Sequence, residues 1–288
     1  MLEKKEFFVG RPNIGNRQRF NDRLDKIFER HWLTNDGELV RELEEKISNY
    51  LGVKHCIAMC NGTIALELAI RATGMSGKVL LPSMTFIATA HALKWQQITP
   101  VFTDIDANTY NLCPTAISRE IDDDVTGIVG VHLYGRACGI EALTEIANRH
   151  DLKLIFDAAH AFGAGYKGNK IGGHGNCEVF SFHATKIFNT FEGGAVTTND
   201  DELAAKLRLM RNFGFEGEDH VSYIGTNGKM AEVNAAMGLT NLEQIDSFIE
   251  TNFINYQVYK AKLEKTAGVE LIAYDDNEFN NYQFLLRH

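Results

Sequence analysis

The chain has 288 residues, 44% of them apolar and 23% charged, with a net charge of −9. That composition is that of a globular chain with room for one large α/β domain, or one large and one small. It has no basic cluster of the kind that marks a nucleic-acid surface, and no apolar run approaches the roughly 18 residues of a membrane span.

The first residues, MLEKKEFFVG, lack the apolar segment of a secretory signal, and residues 1–15 read as an extended N-terminal arm. Five cysteines (Cys56, Cys60, Cys113, Cys138, Cys177) form no CxxC pair. They read as free thiols of a cytoplasmic protein. The sequon at Asn61-Gly62-Thr63 then has no glycosylating compartment.

Helical patterns are expected at 17–30 and 37–51, the second closed by Leu51-Gly52. Short apolar runs follow: HCIAM (55–59), KVLL (78–81), ITPVF (98–102), TGIVGV (126–131), LKLIF (152–156), EVFSF (178–182) and GAVTT (194–198). Amphipathic segments such as IALELAIRA and IEALTEIANRH separate most of them. This alternation predicts βαβ units and a mostly parallel seven-stranded sheet covered by helices on both faces. After residue 200 the pattern turns helical, then VELIA (269–273) and FNNYQFLLRH read as strands. The expected division is 16–248 for a large domain and 249–288 for the start of a smaller C-terminal α/β domain, incomplete within this chain.

Several turns after strands hold chemistry-bearing residues. LKLIFDAAHAFGA ends its strand at Asp157, with His160 in the turn. Alone, these read as a capping aspartate and a histidine satisfied in the core. CNGTIALELAI opens a helix at Gly62-Thr63, where free amides and the helix dipole suit a phosphate, although an ordinary N-cap has the same sequence. PSMTFIATAHAL repeats the form and puts Phe86 near a helix start, as a core residue or a surface for a flat ring. FSFHATKIFNT places Lys186 in a turn between the last two of these seven runs, EVFSF and GAVTT, where a lysine is ordinarily solvated.

Two other patterns are set aside. Gly163-Ala164-Gly165-Tyr166-Lys167-Gly168 matches GxGxxG but opens no helical pattern, as a dinucleotide site requires. His160, His174 and Cys177 lack the spacing and fourth partner of a metal site. The lysine, the strand-end aspartate, the Gly-Thr helix start and the aromatic, all at one edge of one sheet, are together the parts that pyridoxal 5'-phosphate needs. The lysine supplies a Schiff base, the aspartate keeps the pyridine nitrogen protonated, and the helix start holds the phosphate.

From about residue 9 onward the chain resembles the DegT-type (DegT/DnrJ/StrS) nucleotide-sugar aminotransferases, enzymes of fold type I. The resemblance is carried by PNIG, WLTNDG (32–37), CNGTIAL, LPSMTFIATA, PVFTDID (100–106), VHLYG (131–135), FDAAHAFGA, FSFHATK, EGGAVTTND and GTNGKMAEVNAAMGL (225–239), in that order. It implies that Lys186 forms the Schiff base and moves the substrate proton. It also implies that Asp157 pairs with the pyridinium, that His160 lies near the ring hydroxyl and that Phe86 stacks on the ring. Gly62, Thr63 and Ser181 would bind the phosphate, joined by Asn227 from the partner subunit of a homodimer. His183 receives no role. The family commonly reads N-aromatic-R-M where this chain has Asn227-Gly228-Lys229-Met230, so the bidentate arginine is replaced by a point charge.

The implied reaction is transfer of an amino group from L-glutamate to a nucleotide-linked keto-deoxysugar, a dTDP-4-keto-6-deoxyhexose, in deoxysugar or surface-polysaccharide biosynthesis. Two other outcomes share the fold. One is a PLP-dependent sugar dehydratase, whose members carry histidine at the lysine position. The other is a non-catalytic PLP-binding regulatory relative.

Overall fold

In the computed structural model, which describes residues 11–283 and the backbone of 286–287, helix α1 (Arg17–Arg30) starts where the Asn16 side chain accepts a hydrogen bond from the Arg19 amide at 3.1 Å. Residues 1–10 of the expected arm lie outside the described residues, as do 284, 285 and 288 of the last expected strand. Helix α2 (Glu38–Leu51) is capped from a distance: the buried Glu232 carboxylate accepts from the Leu39 and Val40 amides at 3.0 Å each. A carboxylate at the positive end of a helix dipole is favourable, and here it ties the helix to a segment 190 residues later in the chain.

The alternation then runs as the apolar pattern predicts. In order come β1 (His55–Met59), α3 (Gly62–Thr73), β2 (Lys78–Pro82), α4 (Ile87–Lys94), β3 (Thr99–Thr103), α5 (Pro114–Glu120), β4 (Val125–Val131), α6 (Ile140–Arg149) and β5 (Lys153–Asp157). A small hairpin, β6 (Gly165–Tyr166) and β7 (Asn169–Lys170), precedes β8 (Cys177–Ser181) and β9 (Gly194–Thr198). The GxGxxG match is this hairpin. Its turn, Lys167-Gly168, has φ of 52° and 77°, the left-handed pair of a tight β-turn rather than a helix start.

Among the described residues, seven strands form one sheet in the order β1-β9-β8-β5-β4-β2-β3. All pairs are parallel except those of β9, which is antiparallel to both β1 and β8. Each central strand is buried on both faces. Ile57, Val129, Ile155, Val179 and Val196 pack on one side, while Cys56, Ala58, Phe180 and Ala195 pack on the other. Successive side chains point to opposite faces, so a strand with two covered faces has no polar alternation. That is why these strands read as continuous apolar runs.

The helical end of the chain differs from its pattern. The long stretch after Met230 is two helices, α8 (Glu232–Leu242) and α9 (Ile245–Leu263), preceded by α7 (Asp201–Met210). The expected boundary at 248/249 falls within α9. Of VELIA only β10 (Glu270–Leu271) is strand, paired with β11 (Leu286–Arg287). The segment between them returns to the sheet-bearing part of the chain, where the Gly165 amide donates to the Phe279 carbonyl at 2.8 Å. Lys170 there lies over the rings of Tyr50 and Phe279, 4.4 and 4.7 Å from their centroids.

Candidate active site

β1, β2, β5 and β8 point the same way, so their carboxyl ends share one edge of the sheet. The turns that follow them enclose a cavity of about 430 Å3. Its lining includes Gly62 and Thr63 after β1, Phe86 after β2, Asp157 and His160 at and after β5, and Ser181 and Lys186 at and after β8. Seven of the sequence-predicted site residues thus meet in one place. Asn227 does not; it is exposed, in a segment bridged to Asn212, outside this cavity.

Lys186 sits in the loop between β8 and β9, which contains turns and bends and no helix. The loop's feet are pinned: the Phe182 amide donates to the Gly193 carbonyl at 2.8 Å and the Thr190 amide to the Phe182 carbonyl at 3.0 Å. Beside Lys186, Ile187 and Phe188 are buried, and Phe188 stacks on Phe162 at 4.5 Å. Burying two such side chains contributes about 1.5–3 kcal/mol each. That offsets an ordering cost of about 1–2 kcal/mol per backbone residue over the residues nearest the lysine. The lysine is held by its apolar neighbours, and burial pushes its amine below the ordinary lysine range, with Asp157 pulling the other way. The amine therefore loses its proton more readily than a solvated lysine does.

Asp157 ends β5 and is nearly buried. Its carboxylate accepts from the Thr89 hydroxyl at 2.9 Å and from the Ala159 amide at 3.1 Å. Burial raises its pKa, against those two hydrogen bonds and Lys186. Thr89 is fully buried in α4, and the Thr85 hydroxyl lies 2.7 Å from its own. The sequence reading missed Thr89, although it stands in the quoted LPSMTFIATA. A threonine one helical turn past a strand–turn–helix start is a weak signal without the neighbouring strand.

Gly62 packs backbone to backbone against the start of β9 and against Ser181. A Cβ on Gly62 would lie 2.9 Å from the Ser181 Cβ, and one on Gly194 would lie 2.6 Å from the Gly62 nitrogen. The first turn of α3 is therefore bare backbone beside the Ser181 hydroxyl, with Asn61 capping the Ile64 amide at 2.8 Å. A helix start leaves its first amides without partners inside the helix, and this one faces the cavity. Phe86, at the start of α4, offers a 73% exposed ring to the same space.

His183 and Glu192 were not assigned from sequence, and both line the cavity. His183 Nδ1 lies 2.8 Å from the Thr185 hydroxyl and its Nε2 lies 3.4 Å from the Glu192 carboxylate. His160 is half-buried, and desolvation pushes its pKa down to about 3, helped by Lys186. The imidazole is neutral at pH 7. Its unfolded value is 6.5, so the unfolded chain takes up the proton first. Stability is full above pH 6.5 and falls with acid toward pH 3. One proton is worth about 1.4 kcal/mol per pH unit. In the cofactor-free protein, His160→Asn is expected to flatten the slope of unfolding free energy between pH 6 and 4 by about one proton, measured by denaturant titration at each pH. An unchanged slope would show that His160 is not held neutral.

The arrangement is a nucleophilic amine, a buried carboxylate, a bare helix start with a hydroxyl, and an aromatic face. It fits a flat cationic ring bearing an aldehyde and a phosphate. The buried carboxylate gains a cation there, and the helix start gains an anion.

Residues 15–287 match the model of the DegT/DnrJ/EryC1/StrS aminotransferase family. The chain is 39% identical over 281 residues to the dTDP-4-amino-4,6-dideoxy-D-glucose transaminase of Shigella dysenteriae, covering 98% of this chain and 77% of that one. It is 38% identical over 269 residues to the GDP-perosamine synthase of Caulobacter vibrioides, covering 92% and 72%. Among solved structures, it is similar to DesI in the presence of its TDP-sugar product, with a TM-score of 0.92 and 46% identity over 96% of this chain and 71% of that one.

Proposed function

This chain belongs to the DegT/DnrJ/EryC1/StrS aminotransferase family, and on that premise we propose that it transfers an amino group from L-glutamate to a nucleotide-linked keto-deoxysugar, a dTDP-4-keto-6-deoxyhexose. We place it in the cytoplasm, where its five free cysteines stay reduced, in deoxysugar or surface-polysaccharide biosynthesis. The observation that carries the reading is the single cavity shared by Lys186, Asp157, His160, Phe86, Ser181 and the Gly62-Thr63 helix start.

In this reading the cavity holds pyridoxal 5'-phosphate, which when bound supplies an electron sink for the substrate carbon that loses its proton. The Gly62 and Thr63 amides and the Ser181 hydroxyl bind the phosphate end. Asn227 of the partner subunit completes that end in a homodimer. Asp157, oriented by Thr89 and the Ala159 amide, would keep the ring nitrogen protonated. Phe86 would offer its face to the ring, and neutral His160 would offer the ring hydroxyl a partner without adding a charge.

Lys186 has two tasks. Its amine would hold the cofactor covalently, and as a free base it would move a proton to and from the substrate carbon. A depressed pKa suits both, since the amine must be neutral to attack or to accept a proton. With one such site, donor and acceptor would react in alternation.

Incubation of the purified protein with PLP, L-glutamate and a dTDP-4-keto-6-deoxyhexose is expected to give 2-oxoglutarate and an amino-sugar nucleotide in equal amounts, read by mass spectrometry. Absence of the amino-sugar nucleotide, with 2-oxoglutarate stopping at one equivalent per bound cofactor, would overturn the acceptor and leave the cofactor chemistry standing.

A further inference from the structure

Two side chains outside the cavity hold its two central loops together. Asn281 is fully buried, and its amide nitrogen donates to the His160 carbonyl at 2.7 Å and the Phe162 carbonyl at 3.2 Å. Gln283 brackets Lys186: its side-chain oxygen accepts from the Ile187 amide at 3.2 Å and its nitrogen donates to the Thr185 carbonyl at 3.2 Å. The two clamps are joined, because the Gln283 amide donates to the Asn281 side-chain oxygen at 3.2 Å. Neither residue lines the cavity.

Tyr282, between them, has φ of 50°, a left-handed conformation that costs a bulky residue about 1–3 kcal/mol. It is held there by rings: Tyr274 at 4.8 Å, Phe253 at 5.1 Å and Tyr256 at 5.6 Å. Asn252 adds a hydrogen bond to the Asn281 carbonyl at 3.1 Å. The segment is thus fixed on α9 before it reaches the two loops. Beneath it, the loops touch through Phe162 and Phe188, an apolar contact that holds distance but not orientation.

We propose that Asn281 and Gln283 are positioning residues for the reaction at Lys186. They set the Lys186 backbone and the His160 turn in register, so that the amine and the imidazole face the same bound ring. The inference rests on the aminotransferase reading above. It assigns a task at the site to a segment that arrives about 95 residues after the lysine.

The test uses the PLP-loaded protein and two variants. Asn281→Asp keeps the shape and removes both donors; Gln283→Ala removes both bonds around Lys186. Each is expected to lower kcat by about 10- to 100-fold, the effect of misplacing a reacting group by up to ~1 Å, with KM for glutamate changed less than about threefold. The pH midpoint of the absorbance change of the Lys186-linked cofactor is expected to shift by at least about half a unit, since it reports the setting of the amine. In cofactor-free Gln283→Ala, amide hydrogen exchange at Ile187 is expected to rise at least about tenfold. If Asn281→Asp does not fold, Gln283→Ala decides alone. The proposal is overturned if the midpoint and kcat stay at wild-type values while only Tm falls. If the wild-type protein shows no Lys186-linked absorbance at all, the aminotransferase reading fails first and the positioning role falls with it.

Discussion

Lys186→Ala is expected to lower turnover by at least about 10^4-fold, the upper range of a general acid–base contribution, with the covalent step lost in addition. The fold should survive. Lys186 is only partly buried, its neighbours Ile187 and Phe188 supply the loop's anchorage, and the loop's feet are held by backbone bonds. Removing a partly desolvated amine should leave Tm of the cofactor-free protein within a few degrees of wild type. The decisive measurement is a single half-reaction: L-glutamate added to the PLP-loaded variant, followed by absorbance. Turnover within about tenfold of wild type would show that another group carries the proton. Lys186→Arg separates the roles further, because a guanidinium keeps the charge and does not deprotonate near neutral pH.

Asp157→Asn is the second large effect, and its sign differs between the empty and loaded protein. In the cofactor-free chain the carboxylate is nearly buried and its pKa is raised by that burial. A neutral amide of the same shape relieves this cost and can still meet Thr89 and the Ala159 amide, so stability at pH 7 should hold or rise. In the loaded protein the same change removes the partner of a buried cation. Breaking such a pair costs about 3–5 kcal/mol, or roughly 10^2- to 10^4-fold in rate. The expected signature is a stable apoprotein that binds PLP more weakly and turns over several hundred-fold more slowly. Loss of stability together with unchanged kcat would assign Asp157 to the scaffold instead. Thr89→Val should move the same quantities by less, since it removes one hydrogen bond to the carboxylate, about 1.5–3 kcal/mol, and leaves the charge.

The strand segments were legible because a strand buried on both faces must be apolar throughout. HCIAM and GAVTT match β1 and β9 residue for residue, and the other runs differ by one residue at one end or both. The helical pattern after Met230 carries no sign of the break between α8 and α9, because the apolar pattern continues across Glu243-Gln244, where the chain turns. A local pattern does not record a change in direction when both halves find apolar partners.

The site divides along the same line. Gly62-Thr63, Phe86, Asp157, His160, Ser181 and Lys186 were visible because each stands at or just after a strand end, a position read from local sequence. Thr89, Glu192, Asn281 and Gln283 were not. Thr89, Asn281 and Gln283 act by reaching residues distant in the chain: Thr89 and Asp157 are 68 residues apart, and Asn281 and His160 are 121 apart; Glu192 meets His183 only through the fold of their shared loop. By itself the sequence determined the alternating strands and helices, the resemblance to the DegT-type aminotransferases and the residue types of the cavity, all of which rest on short-range patterns. Only the tertiary structure decided that these turns share one cavity, that Thr89 orients Asp157, and that residues 281 and 283 reach both loops, because hydrogen bonds between distant segments depend on how the sheet brings strand ends together.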